Sequence, residues 1–239
     1  MIPKIIHYCW FGRNPLPEDV KTYIEGWKKH CPDYEIIEWN EDNFDINSNA
    51  YVKEAYESKK WAFVTDYVRL YALYNQGGIY MDTDVEVLKP LDRFLNEEAF
   101  SGFENEKAVP TGILASVPKQ QAIGDLLHEY DNRHFLNEQG EMDMTTNVVT
   151  ISNYFIKNGM RMDNTKQTVN GFTMYPCEYF CPKNSRTLKI EVTKNTYTIH
   201  HFAGTWVAEK TNFRLKIKKL LGPKLCGVVV KIMDKFGIK

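Results

Sequence analysis

The stretch WAFVTDYVRLYALYNQGGIYMDTDVEVL, residues 61–88, constrains the fold more than any other part of the chain. Val64, Tyr67, Val68, Tyr71 and Tyr74 recur at spacings of three and four, which makes one apolar stripe on a helix. Asp66 and Arg69 lie three apart beside that stripe. Gly77-Gly78 ends the helix, because a residue without a side chain adopts the left-handed conformation that helix C-caps require. Ile79-Tyr80-Met81 then reads as a strand entering the core. Side chains alternate across a strand, so Asp82 and Asp84 are expected on one face and Thr83 on the other, with the strand continuing through Val85 and Val87.

Two carboxylates held on one face raise each other's pKa, and desolvation penalises both. A divalent, oxygen-seeking cation resolves the conflict, and Mg2+ or Mn2+ keeps positions open for substrate phosphates. The plainer alternative is a pair of solvent-facing acids at a strand end, since Asp-x-Asp alone is a weak pattern. The preceding helix, with its own acid and arginine, favours the metal.

The rest of the chain fits around this block. Residues 4–10 are β-prone and deliver Trp10 to the carboxyl edge of a sheet, where α/β folds bind ligands. Trp10 beside Gly12 is either a core residue or a face for a nucleobase, and His7, inside the strand, reads as a satisfied core histidine. A helix at 18–30, a strand at 34–39, a helix at 50–58 and the block at 61–88 give strand-helix-strand-helix-strand, the pattern of a mostly parallel sheet. Further on, 99–104 and 109–115 are strand candidates, and 118–130 and 145–158 are helix candidates. Asp143 either faces a pocket or caps the second of those helices. Residues 161–199 hold short β-prone pieces. His200 and His201 are adjacent and point to opposite faces of a continuing strand, so at most one reaches a metal.

Charge is unevenly placed. The chain of 239 residues has a net charge of -1, yet residues 207–239 carry nine Lys/Arg against two acids, leaving residues 1–206 at -8. An acidic body excludes a general nucleic-acid binder, which needs a distributed basic face. Hydrophobic content of 43% and charged content of 26% exclude a disordered chain. Five cysteines form no disulfide framework, and Cys177-x-x-x-Cys181 lacks the second pair a structural zinc needs. The first residues do not read as a secretion signal and no stretch reaches membrane-span length, so a reducing, cytoplasmic setting is expected. The tail, residues 212–221 and 225–236 around Gly222-Pro223, mixes apolar residues with lysines; it either packs on the domain or lies on an anionic leaflet.

With these segments in view, the chain resembles glycosyltransferases of family 32, the kind with a sugar-binding region containing a DXD motif. That family includes yeast mannosyltransferases and bacterial capsular polysaccharide transferases, with clostridial glucosylating toxins more distant. The opening IPKIIHYCWFG, the block AFVTDYVRLYALYNQGGIYMDTDVEVLKPLD and the closing HHFAGTW carry the resemblance. It implies a single α/β domain of GT-A type over residues 1–206; the basic segment 207–239 lies outside the matching blocks, although related bacterial transferases often sit on the cytoplasmic membrane face. It implies a retaining transfer of a hexose or N-acetylhexosamine, from a UDP-sugar before GDP-mannose, to a glycan or lipid-linked saccharide. By the same resemblance Trp10 lies on the base, and Asp66 and Arg69 near sugar and diphosphate. Asp82 lies toward the sugar and the metal's water shell, and Asp84 binds Mn2+ or Mg2+. His201 is a further metal ligand and Trp206 approaches the diphosphate. Asp143 is a nearby polar group without an assigned covalent role. Two rivals stand beside this: a haloacid-dehalogenase-like phosphotransferase, which also uses an apolar strand ending in Asp-x-Asp, and a non-catalytic carbohydrate- or membrane-binding module.

Overall fold

The structure is a computed structural model that describes residues 1–203 except Thr111, and a helix over 209–235 with side chains at 220–231, 233 and 235. The first half runs β1 (Ile5–Cys9), α1 (Glu18–His30), β2 (Glu35–Trp39), α2 (Ala50–Glu57), α3 (Trp61–Gln76) and β3 (Gly78–Met81). β1 lies between β2 and β3 and is parallel to both, as the alternation of strands and helices requires. After β4 (Val85–Val87) come β5 (Ala99–Gly102), β6 (Ile113–Ser116), α4 (Gln121–His128) and α5 (Asn147–Lys157). The chain then passes through β7 (Gln167–Val169), β8 (Phe172–Tyr175), α6 (Cys177–Phe180), β9 (Thr198–His200) and α7 (Glu209–Lys235).

The main sheet has the order β2-β1-β3-β6-β5-β8-β7. Five of these strands point one way, while β6 and β7 run against their neighbours. The sheet is therefore mixed where the sequence pattern suggests mostly parallel pairing. The cause is connection length: a parallel return needs a dozen or more residues. The β5–β6 link is shorter than that, and β7–β8 turns through Asn170-Gly171, both at positive φ, as a two-residue hairpin turn demands.

Alternation along the strands divides the core in two. Ile6, Tyr8, Ile79, Met81, Ile113 and Ala115 point to one side, against Val20, Ile24 and Trp27 of α1. Cys9, Tyr80 and Leu114 point to the other, where α2, α3, α4 and α5 pack. α3 is buried on more than the expected stripe: Phe63, Leu70, Ala72 and Leu73 are also inside, because α2, α4, β1 and β3 all pack against it. Its C-cap is Gly77 at φ 68, followed by Gly78 at φ 100. Space as well as conformation demands these glycines, for a Cβ at Gly77 would lie 2.6 Å from Pro118 Cδ and one at Gly78 2.7 Å from the Ile5 carbonyl. His7 is the satisfied core residue the sequence suggests. Trp39 Nε1–H can only donate, so His7 Nδ1 accepts it at 3.1 Å and Nε2–H donates to the Gly77 carbonyl at 2.8 Å. α7 is two helical pieces joined at Gly222 (φ 70) and Pro223. Among the described residues, no helix is long and apolar enough to cross a membrane.

Candidate active site

The carboxyl ends of β1 and β3 lie side by side, with Ile6 opposite Ile79 and His7 opposite Tyr80. Trp10 therefore emerges at the same edge as Asp82. It is partly buried, and its indole N–H donates to the Asn14 carbonyl at 2.6 Å. Gly12, at φ 97, donates its N–H to Glu41 at 2.7 Å, and a Cβ there would lie 2.7 Å from the Trp61 ring.

The acids are brought together differently from the sequence expectation. β3 stops at Met81; Asp82 N–H donates to the Gly112 carbonyl at 2.8 Å, and Val85 N–H closes a turn on the Asp82 carbonyl at 3.0 Å. β4 then leaves the main sheet to pair antiparallel with β9, with Val85 opposite His200. The strand does not run on through Asp84. A turn, rather than strand alternation, sets Asp82 beside Asp84.

The same pairing chooses the histidine. Asp82, Asp84 and His200 each present a ligand atom within 4.8 Å of the others. His200 Nε2 is 3.4 Å from Asp84 and 3.9 Å from Asp82. His201, the residue suggested by resemblance, is outside this cluster: its Nε2 lies 2.8 Å from Glu86 and its ring stacks on Tyr23. Gly112 makes the arrangement sterically feasible, because a Cβ there would sit 2.8 Å from Val85 Cγ2 and 3.0 Å from His200 Cγ. Burial acts against the Asp84 carboxylate, but His200 and the Ala203 N–H at 2.6 Å outweigh it and bring its pKa down to about 2. Burial likewise opposes a charged His200, and Asp84 and Asp82 together push it well above the usual imidazole range.

Arg69 reaches the site from α3. Its guanidinium makes ion pairs at 3.3 Å with both Asp66 and Asp82 and lies 4.5 Å from the centre of the Tyr80 ring. Asp66 is buried, and burial raises its carboxyl to about 6 despite Arg69 and the Asn147 N–H, which donates to it at 3.0 Å. In this geometry Asp66 holds Arg69 and receives the first turn of α5. The Asn147 side chain donates to the Asp66 carbonyl at 3.2 Å, and its own buried Oδ1 has no hydrogen-bond partner among the described residues.

Asp143 neither caps α5 nor joins the acids. Arg133 binds it at 2.6 and 3.0 Å and the Thr145 N–H at 2.9 Å, so its carboxylate is taken up by local partners. Trp206 lies outside the described residues. Sequence reasoning missed Glu104, a part-buried acid just past β5. Burial raises its carboxyl, His200 opposes that, and Asp82 and Asp84 raise it further. Its position at the carboxyl edge after a strand was the available signal.

Residues 17–101 match the family described as "Glycosyltransferase sugar-binding region containing DXD motif". The domain has a GT-A-type fold. A solved structure titled "PaToxG Glycosyltransferase" aligns with TM-score 0.50 and 18% identity, covering 65% of this chain and 68% of that one. Among curated proteins, "Inositol phosphoceramide mannosyltransferase 1" of Schizosaccharomyces pombe is 26% identical over 152 residues, 56% of this chain and 45% of the relative. "Inositol phosphoceramide mannosyltransferase 3" of the same yeast is 33% identical over 124 residues, 48% of this chain and 32% of the relative. The chain thus matches less than half the length of these two relatives.

Proposed function

We propose that residues 1–206 form a retaining, metal-dependent glycosyltransferase domain. It moves a hexose or N-acetylhexosamine from a nucleotide sugar, with a UDP-sugar first in order, to a glycan or lipid-linked saccharide in the building of surface or capsular polysaccharide. The observation that carries this is the convergence of Asp82, Asp84 and His200 at the sheet's carboxyl edge. Two carboxylates and an imidazole fit Mn2+ better than Mg2+, since nitrogen donors suit transition metals and Mg2+ takes oxygen. A cation held there stabilises the charge of a departing nucleoside diphosphate.

The chain's own residues prepare the rest. Arg69 adds a fixed positive charge beside the acids, held from α3 by Asp66. Trp10, at the neighbouring strand end, offers a flat face for the base, and Trp206 is assigned to the diphosphate. Residues 207–239 are assigned to contact with an anionic membrane surface on the cytoplasmic side. A mannosyl donor, GDP-mannose, is the second choice, favoured by the names of the curated relatives.

The test is a panel of nucleotide sugars with and without Mn2+, reading nucleotide release and then the anomeric configuration of the product. Metal-dependent release lost in Asp84→Asn, with the circular dichroism spectrum unchanged, is expected. Release unaltered in a folded Asp84→Asn protein overturns the metal assignment. No release from any donor leaves the acids a structural cation site and favours a binding module.

A further inference from the structure

The second half of α7 turns an apolar surface to solvent. Leu225, Val228 and Val229 are 55%, 58% and 42% exposed, whereas Cys226 between them is buried. At about 100° of turn per residue, the three exposed residues share an arc of about 100°. Lys224, Lys231 and Lys235, all exposed, fall together on one flank of that arc, about 90° from its centre. Across the break at Gly222, Leu220 and Leu221 are exposed as well. An exposed apolar stripe edged by charge marks an interaction surface.

We propose that this half of α7 lies in the plane of an anionic membrane surface, with Leu225, Val228 and Val229 sunk below the headgroups and Lys224, Lys231 and Lys235 against lipid phosphates. This rests on the assignment of 207–239 to a membrane and is independent of the transfer reaction. Lysines at the boundary of an apolar face lay their stems along it and hold their charge at headgroup level. Charge selects the occupant. A tail with nine basic residues against two acids is drawn to anionic lipid, whereas contact between two copies through this stripe brings tails of like charge together. At Gly222 (φ 70) and Pro223 the helix breaks, so the outer piece does not continue the axis of the first.

The experiment is flotation of the full chain with vesicles of phosphatidylcholine alone and of phosphatidylcholine with phosphatidylglycerol, at low and high salt. Binding to the anionic vesicles only, weakened by salt, is expected. Lys224→Gln, Lys231→Gln and Lys235→Gln together should weaken it on the order of a hundredfold, each lysine near such a surface being worth about a factor of five. Leu225→Asp with Val228→Asp should abolish it while the melting temperature stays unchanged. No flotation, equal flotation on neutral vesicles, or lipid-free dimerisation that Leu225→Asp removes would each overturn the proposal. Nucleotide release without vesicles separates the two ideas. Flotation of a chain inactive toward every donor still supports the membrane face, and release without flotation refutes the membrane face alone.

Discussion

Two buried titratable groups should impose opposite pH dependences on stability, and each should be visible only when the other is removed. Burial holds the Asp66 carboxyl at about 6, against an ordinary value near 3.8. Burial also holds His7 at about 4, below its ordinary 6.5, with the bond to Gly77 opposing. Between about pH 4 and 6 the folded chain keeps a proton on Asp66 that the unfolded chain has released, so stability falls as pH rises and levels off above the folded pKa. His7 does the reverse: between about pH 4 and 6.5 the unfolded chain binds a proton that the folded chain refuses, so stability rises with pH. Shifts of this size are each worth about 3 kcal/mol, at about 1.4 kcal/mol per unit. From this pair alone, the parent protein should change little in stability across pH 4–6.

The perturbation is Asp66→Asn. An amide keeps the shape and an acceptor for the Asn147 N–H, and its poorer fit to Arg69 is a penalty largely independent of pH. Urea denaturation at half-unit steps from pH 4 to 6.5 should show the variant gaining about 3 kcal/mol on the parent as pH rises through that window. His7→Gln should lose a similar amount relative to the parent over the same range. A difference between parent and Asp66→Asn that does not change with pH would refute the assignment of the buried proton to Asp66.

Other substitutions probe the frame of the site. Gly112→Ala should displace His200, whose Cγ is 3.0 Å from the added Cβ, and weaken Mn2+ binding measured by calorimetry; unchanged affinity would show that His200 is not held by this contact. Gly77→Ala places a Cβ 2.6 Å from the Pro118 ring at a φ of 68 and should cost on the order of 1–3 kcal/mol, read as a lowered denaturation midpoint. Trp27→Phe removes the buried bond at 2.7 Å from the indole to the Val85 carbonyl and should cost about 1–3 kcal/mol by leaving that carbonyl unpaired. A midpoint within error of the parent would mean that water or another donor replaces the indole.

The first half of the fold was legible because its signals are local. Helical spacing gave α1 and α3, the glycine pair gave the stop after Gln76, and the alternation of elements gave parallel pairing among the first three strands, though not their order with β1 in the middle. The reversals at β6 and β7 were less visible, although Asn170-Gly171 is a strong hairpin signal that composition alone blurs into a loop-rich region. At the site, the acids and Arg69 could be found from spacing, but their grouping could not be derived from strand parity. Parity holds only while a strand continues, and the turn after Met81 interrupts it. The same limit applies to the two histidines. The sequence rule that at most one of them reaches a metal agrees with the geometry, yet the choice is made by pairing of β4 with β9 across more than a hundred residues, together with a glycine just before β6 that leaves room for the ring. A ligand set assembled from two chain segments more than a hundred residues apart is a property of tertiary register. Such a set becomes readable in sequence only through residues like Gly112, whose missing side chain records the close approach.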